Sequence, residues 1–176
     1  MEASRPATAD DVPRIVELAR VLRAELQAMR GGELWAEREA WPEPLADAYG
    51  ALVARDDALV VVGTIDDTPI GFGVVVLEPL RSGRTLGVIT DLFVEEGARS
   101  VGVGEAMADA LVAFCTTHGC IGIDARALPG HRATKNFFEA HGFTARALVM
   151  HRRLDPGAID PGAIDPGAID PGALGS

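Results

Sequence analysis

The run Arg99-Ser100-Val101-Gly102-Val103-Gly104 has the composition of an anion cradle. Its glycines allow positive φ and a close approach of backbone to ligand. It follows an apolar stretch, residues 87–94, that reads as a strand, and precedes residues 105–114, which read as a helix. The first N–H groups of a helix have no partner within it and lie at the positive end of its dipole. A strand, a glycine turn and a helix start therefore suit a phosphate or pyrophosphate. A dinucleotide site is not expected, because the spacing is not Gly-x-Gly-x-x-Gly after an early strand with a later acid.

The bulk composition narrows what such a cradle could serve. A chain of 176 residues suggests one domain with a substantial core, and 48% hydrophobic with 24% charged residues is ordinary for a soluble globular protein. A formal net charge of −10 argues against nucleic-acid or anionic-membrane partners and leaves amine-bearing ones open. No apolar run approaches the ~20 residues that span a bilayer. Residues 1–5 do not begin a secretory signal, and Cys115 and Cys120 read as reduced thiols, so a cytoplasmic protein is expected. Cys115, His118 and Cys120 lack a fourth ligand at zinc-finger spacing, and no metal is expected.

The elements that must position the cradle follow from periodicity. Thr8-Ala9-Asp10-Asp11 offers a helix cap, and Ile15, Leu18, Leu22, Leu26 and Met29 recur at three and four, which predicts an amphipathic helix that Gly31-Gly32 stops. Trp35 to Pro44 reads as a connector, and Leu45, Tyr49, Leu52 and Val53 as a second helix. Apolar runs at 58–63, 70–77 and 85–94, separated by turns, predict an antiparallel meander. A helix over 105–117 burying Met107, Ala110, Leu111 and Phe114, a strand over 120–125, a helix over 132–141 and a last strand over 143–154 complete the order. With a short strand at residues 2–6, this is an α/β (α+β) arrangement with helices on both faces of a mixed sheet. From Asp155 the chain repeats Asp-Pro-Gly-Ala-Ile three times and Asp-Pro-Gly-Ala-Leu once. Residues 1–154 read as the domain. Residues 155–176 read as a tail with one branched apolar side chain per turn unit, flexible or docking on another protomer.

Two motifs give these elements a family resemblance. Arg99-Ser-Val-Gly102-Val-Gly104 fits the Gln/Arg-x-x-Gly-x-Gly/Ala signature of the GCN5-related N-acetyltransferases (GNAT). Phe137-Phe138-Glu-Ala-His-Gly142-Phe143 is similar to that family's Phe-Tyr-x-x-x-Gly-Phe helix end. The resemblance covers residues 2–154. It implies a V-shaped split between the fourth and fifth strands, residues 85–94 and 120–125, that takes acetyl-CoA as cosubstrate. The pantetheine arm would pair with backbone at Phe93 and Val94, and the pyrophosphate would sit on N–H groups from Val101 to Glu105, through Gly102, Val103 and Gly104. The amine would enter from the opposite side, over the N-terminal helices.

Within that frame, Asp91 and Asp124, at strand ends near the cleft, are the candidate bases, each alternatively a solvated charge or a partner of Arg126. The Val94 N–H resembles the family's donor to the acetyl oxygen. Phe138 stands where the family typically carries its proton-donating tyrosine, which admits an unassisted thiolate, another donor, or a protein that only binds the coenzyme. His131 reads as a helix cap, a contact to the coenzyme or a proton donor, and Tyr49 as packing. Arg132 and Lys135 share a helix face and are candidates for the coenzyme's 3′-phosphate. Glu33, Trp35, Glu37, Glu39 and Trp41 are candidates to line a cationic acceptor site, or else form a surface loop. The expected activity is acetyl transfer to a primary amine of a small molecule or peptide. The alternative is a coenzyme-binding regulatory or assembly protein. The resemblance leaves a homodimer open.

Overall fold

The computed structural model describes residues 2–99 and 102–154. The compact unit over residues 1–142 is built on five strands: β1 (Glu2–Pro6), β2 (Ala58–Ile65), β3 (Thr68–Pro79), β4 (Thr85–Val94) and β5 (Ile123–Ala125). They lie in chain order, β1 to β4 antiparallel and β5 parallel to β4. Five helices join them: α1 (Val12–Gln27), α2 (Gly32–Arg38), α3 (Leu45–Val53), α4 (Val103–Thr117) and α5 (Arg132–Ala140). The mixed sheet and its helices match the fold class expected from the sequence.

One sheet face packs on α1 and α3. Val12, Ile15, Val16, Leu18, Ala19 and Leu22 of α1 are buried at helical spacing, together with Leu45, Tyr49 and Leu52 of α3 and Phe72 and Val74 of β3. Tyr49 meets Phe72 edge-on, with centroids 5.6 Å apart, a pairing that adds ~0.5–1.5 kcal/mol to its burial. The other face receives α4 over small residues. A Cβ on Gly63 would stand 2.4 Å from Val103 Cγ1, and one on Gly87 2.4 Å from Cys115 Sγ. Those glycines bring α4 within contact of the strands. The buried stripe of α4 is Val103, Met107, Ala108, Leu111 and Cys115. Phe114, expected in that stripe, instead stacks at 4.1 Å on His118, one turn on.

A β-bulge positions the chemistry. Val74 of β3 faces Asp91, but Val75 faces Ile89, so Thr90 is the extra residue of β4. Cross-strand partners share a face, and one added residue reverses the alternation. Asp91 and Phe93 thereby join Val74 and Phe72 on the α1/α3 face. The β4–β5 pairing ends at Ile89↔Ala125, which leaves residues 90–94 without a strand on that side.

Two elements differ from expectation. The connector after Gly31 contains α2, which Gly31 starts in the left-handed conformation at φ 84°. Residues 143–154 form no strand, and Leu148, Val149 and Met150 are 85–89% exposed. A segment with strand-forming residues becomes a strand only where a pairing edge takes up its N–H and C=O groups. The unit that begins at Phe143 contains the Asp-Pro-Gly repeat, which lies outside the described residues. Among the described residues no helix is long and apolar enough to cross a membrane.

Candidate active site

Gly102 adopts φ 86° directly before α4, and the first helical bond runs from Ala106 N–H to the Gly102 carbonyl. The N–H groups of Val103, Gly104 and Glu105 therefore have no acceptor within the helix. A Cβ on Gly102 would meet nothing within 4 Å, so the positive φ selects glycine there. At Gly104 a Cβ would come 3.3 Å from Phe137 Cε2, which ties this turn to α5. Ser100 and Val101 lie outside the described residues.

Arg99 closes the turn against the strand. Its Nε donates to the Val94 carbonyl at 2.9 Å, its Nη2 to both Glu25 oxygens at 2.9 Å, and its guanidinium lies 5.5 Å from the Phe93 ring centre. Glu95 N–H donates to Ile70 of β3, and N–H directions alternate along a strand, so the N–H of Val94 points to the open side of β4. Helix-start donors and the Val94 N–H thus lie close together, a Cβ on Gly104 standing 3.9 Å from Val94 Cγ2. This is the donor set that a pyrophosphate and an extended amide chain require.

On α5, His131 occupies the N-cap position, but its ring bonds the Thr134 hydroxyl (2.9 Å at Nδ1) rather than a helix N–H. Lys135 pairs with Glu139 at 2.6 Å, and Arg132 is exposed. Phe138 is buried edge-on to Phe137, with no hydroxyl to offer. Asp124 is half-buried on β5, level with Val88.

Asp91 lies elsewhere, at the base of a cavity on the α1/α3 face. Leu22 and Arg23 of α1, Trp35 of α2, Trp41 of the segment between α2 and α3, and Tyr49 of α3 line it with Asp91. The carboxylate is 6% exposed. Trp41 Nε1–H and the Thr90 hydroxyl each donate to its Oδ2 at 2.8 Å, and Tyr49 O–H donates to Oδ1 at 3.3 Å. A carboxylate has about four acceptor positions, so one remains, on Oδ1. Burial raises the Asp91 pKa, and the donors from Thr90, Trp41 and Tyr49 counter it in that order. Burial, and then the neighbouring Asp91 charge, hold the Tyr49 phenol far above its usual range. Asp91 is thus neither a solvated strand end nor a partner of Arg126.

The acidic members of the predicted acceptor loop stay outside this cavity. Glu33 and Glu37 are exposed and Glu39 lies 3.6 Å from Arg38, while Trp35 and Trp41 turn inward. The bond from Trp41 to Asp91 spans fifty residues and has no sequence signal. The Thr90 bulge has none either. Tyr49 packs as expected, but it also donates to the carboxylate. Among the described residues no group of three metal-ligating side chains occurs.

Comparison with known proteins places this geometry in a family. The acetyltransferase (GNAT) family model matches residues 24–143. No curated protein matches the sequence. Among solved structures, the tetramutant of the BH1408 protein of Bacillus halodurans is 21% identical with a TM-score of 0.72, over 86% of this chain and 99% of that one. An aminoglycoside acetyltransferase, meta-AAC0020 from an uncultured soil metagenomic sample, solved with trehalose, is 18% identical with a TM-score of 0.66, over 88% and 95%. AAC(6')-Iy with a CoA-linked bisubstrate analogue is 17% identical with a TM-score of 0.67, over 88% and 99%. At these identities the likenesses speak for the fold. The family match spans more than half of the chain and takes in the bulged β4, the glycine turn and α5: the chain belongs to the GNAT family of acetyltransferases.

Proposed function

We propose that this acetyltransferase moves an acetyl group from acetyl-CoA to the primary amine of a small molecule by direct attack, with Asp91 as general base. The observation that carries the reading is Asp91, a buried carboxylate with no cation among its partners and one acceptor position left at the base of a cavity. Acetyl-CoA supplies the thioester. The N–H groups of Val103, Gly104 and Glu105 serve its pyrophosphate, and its amide chain runs along the open side of β4, to which Val94 but not Phe93 turns its N–H.

An amine enters as an ammonium ion and must lose a proton before it attacks. The cavity has about 10 Å³ of space, enough for one water, so the proton reaches Asp91 Oδ1 directly or across that water. The raised pKa of Asp91 narrows its gap to the amine. The nitrogen forms a bond to the acetyl carbon while the Val94 N–H serves the carbonyl oxygen as it gains charge. The carbon–sulfur bond then breaks. The nitrogen gives its second proton to water, and the thiolate leaves with its electron pair and takes a proton from water, since Phe138 has none to give. Positioning supplies most of such a reaction's rate.

Thiol release from acetyl-CoA, measured across amines with and without protein, tests this. Amine-dependent release that Asp91→Asn lowers at least about 100-fold is expected. Release that Asp91→Asn leaves intact while Asp124→Asn lowers it moves the base to β5. Tight acetyl-CoA binding without turnover on any amine favours the coenzyme-binding alternative.

A further inference from the structure

Two thiols that the acetyl-transfer reading leaves unused meet at the end of α4. The helix stops at Gly119, which is left-handed at φ 67°. Gly119 N–H donates to the Thr116 carbonyl at 3.1 Å, and Cys120 N–H to the Cys115 carbonyl at 3.0 Å. This pair of bonds is a Schellman cap, which brings the residue after the glycine against a residue of the last helical turn. Here both of those residues are cysteines, and both are free. The backbone bond between them holds their Cα atoms within about 7 Å, the limit beyond which two cysteines cannot be bridged. Their side chains meet as well, the Cys120 thiol being hydrogen-bonded to that of Cys115.

The two sulfurs differ in access. Cys115 is 1% exposed, with its sulfur against Gly87 of β4. Burial, and then the neighbouring Cys120 thiol, push its pKa up to about 12, which keeps it from reacting first with anything in solution. Cys120 is half-buried and stands one residue before Ile121, whose N–H donates to the Thr85 carbonyl at 2.9 Å. A small oxidant thus meets Cys120 before Cys115.

We propose that Cys115 and Cys120 form a redox-modification site, in which a low-molecular-weight disulfide enters at Cys120 and Cys115 converts the adduct into an intramolecular disulfide. The Cys120 sulfur loses its proton, attacks the small disulfide and releases one thiol. The Cys115 sulfur loses its proton, attacks the Cys120 sulfur and releases the second. The chain gives up two hydrogens, and the small disulfide is reduced to two thiols. The closeness set by the cap offsets the scarcity of thiolate at Cys115. The new bond ties the end of α4 to the segment leading into β5, at the end of the β4–β5 pairing opposite the opening at residues 90–94.

The test is incubation of the folded full chain with oxidised glutathione, followed by intact mass and a free-thiol count under denaturing conditions. The wild-type chain should lose both titratable thiols and two hydrogens in mass, stay a single chain, and recover both thiols on reduction. Cys115→Ala should keep glutathione attached at Cys120, and Cys120→Ser should keep its remaining thiol free. A wild-type chain that retains both thiols, that ends with glutathione attached, or that links to a second chain overturns the proposal. The wild-type product decides this even where a variant fails to fold, and it does not depend on which amine is acetylated.

Discussion

Asp11 and Asp91 are both buried carboxylates, at 7% and 6% exposure, and they are held in opposite ways. Asp11 ends the single turn before α1. It accepts Arg5 Nη1 and Nη2 at 2.7 and 2.8 Å, and also the Thr8 N–H and hydroxyl. The Arg5 bonds hold its pKa down at about 2 despite burial. Asp91 has three neutral donors and no cation, and burial pushes its pKa up. A carboxylate with four donors, two of them from a fixed counter-charge, can only hold structure. One left short of both can take a proton. Asp11 pins β1 to the start of α1, whereas Asp91 spends stability on a reactive position.

The largest expected effect is at Asp91. Asp91→Asn should lower kcat/KM at least about 100-fold, measured by thiol release, with acetyl-CoA binding unchanged. Its thermal midpoint should stay within ~2 °C of the parent or rise. The amide oxygen can keep Trp41 and Thr90, the Tyr49 hydroxyl can turn to accept from the amide nitrogen, and a buried charge is removed. Unfolding on this substitution would make Asp91 another Asp11.

Asp11→Asn should do the reverse. It keeps kcat and costs about 1–2 kcal/mol in urea unfolding at pH 7, allowing for the solvent exposure of Arg5. Its folded pKa lies below the ordinary 3.8, so the contribution is complete above that value and is lost as pH falls towards 2. The parent should therefore lose its advantage over Asp11→Asn across that window. Asp91 has the opposite sign: its raised pKa favours the folded state as pH falls, and ionisation costs stability as pH rises through it.

The sequence shows the scaffold of this contrast but not its wiring. Residues 85–94, 132–140 and the start of α4 are legible because glycine turns and helical or strand periods are local signals. Asp91 is legible as a candidate by its place at a strand end. Its surroundings are not, because a one-residue bulge at Thr90 decides which face it joins, and its donors come from residues 41, 49 and 90. The strand expected over 143–154 is a local reading of the sequence, and a local pattern does not supply a partner edge. Cys115 rather than Phe114 enters the buried stripe of α4, its sulfur lying against Gly87.

The smallest effect sharpens the comparison most, because it moves Asp91 without removing it. Trp41→Phe keeps an aromatic ring at the cavity wall and deletes the N–H that donates to Oδ2 at 2.8 Å. That donor stabilises the charged carboxylate and lowers its pKa, so its loss moves the pKa further up. The acid limb of the kcat/KM profile should shift to higher pH. Activity on that limb should fall a few-fold, and the plateau above it should change little. A residue that only fills space would lower the plateau and leave the limb where it was. The same pH profile run on Asp11→Asn should match the parent throughout, since Asp11 takes no part in proton transfer. A limb that moves in both variants, or in neither, would mean that the two carboxylates do not divide structure and chemistry between them.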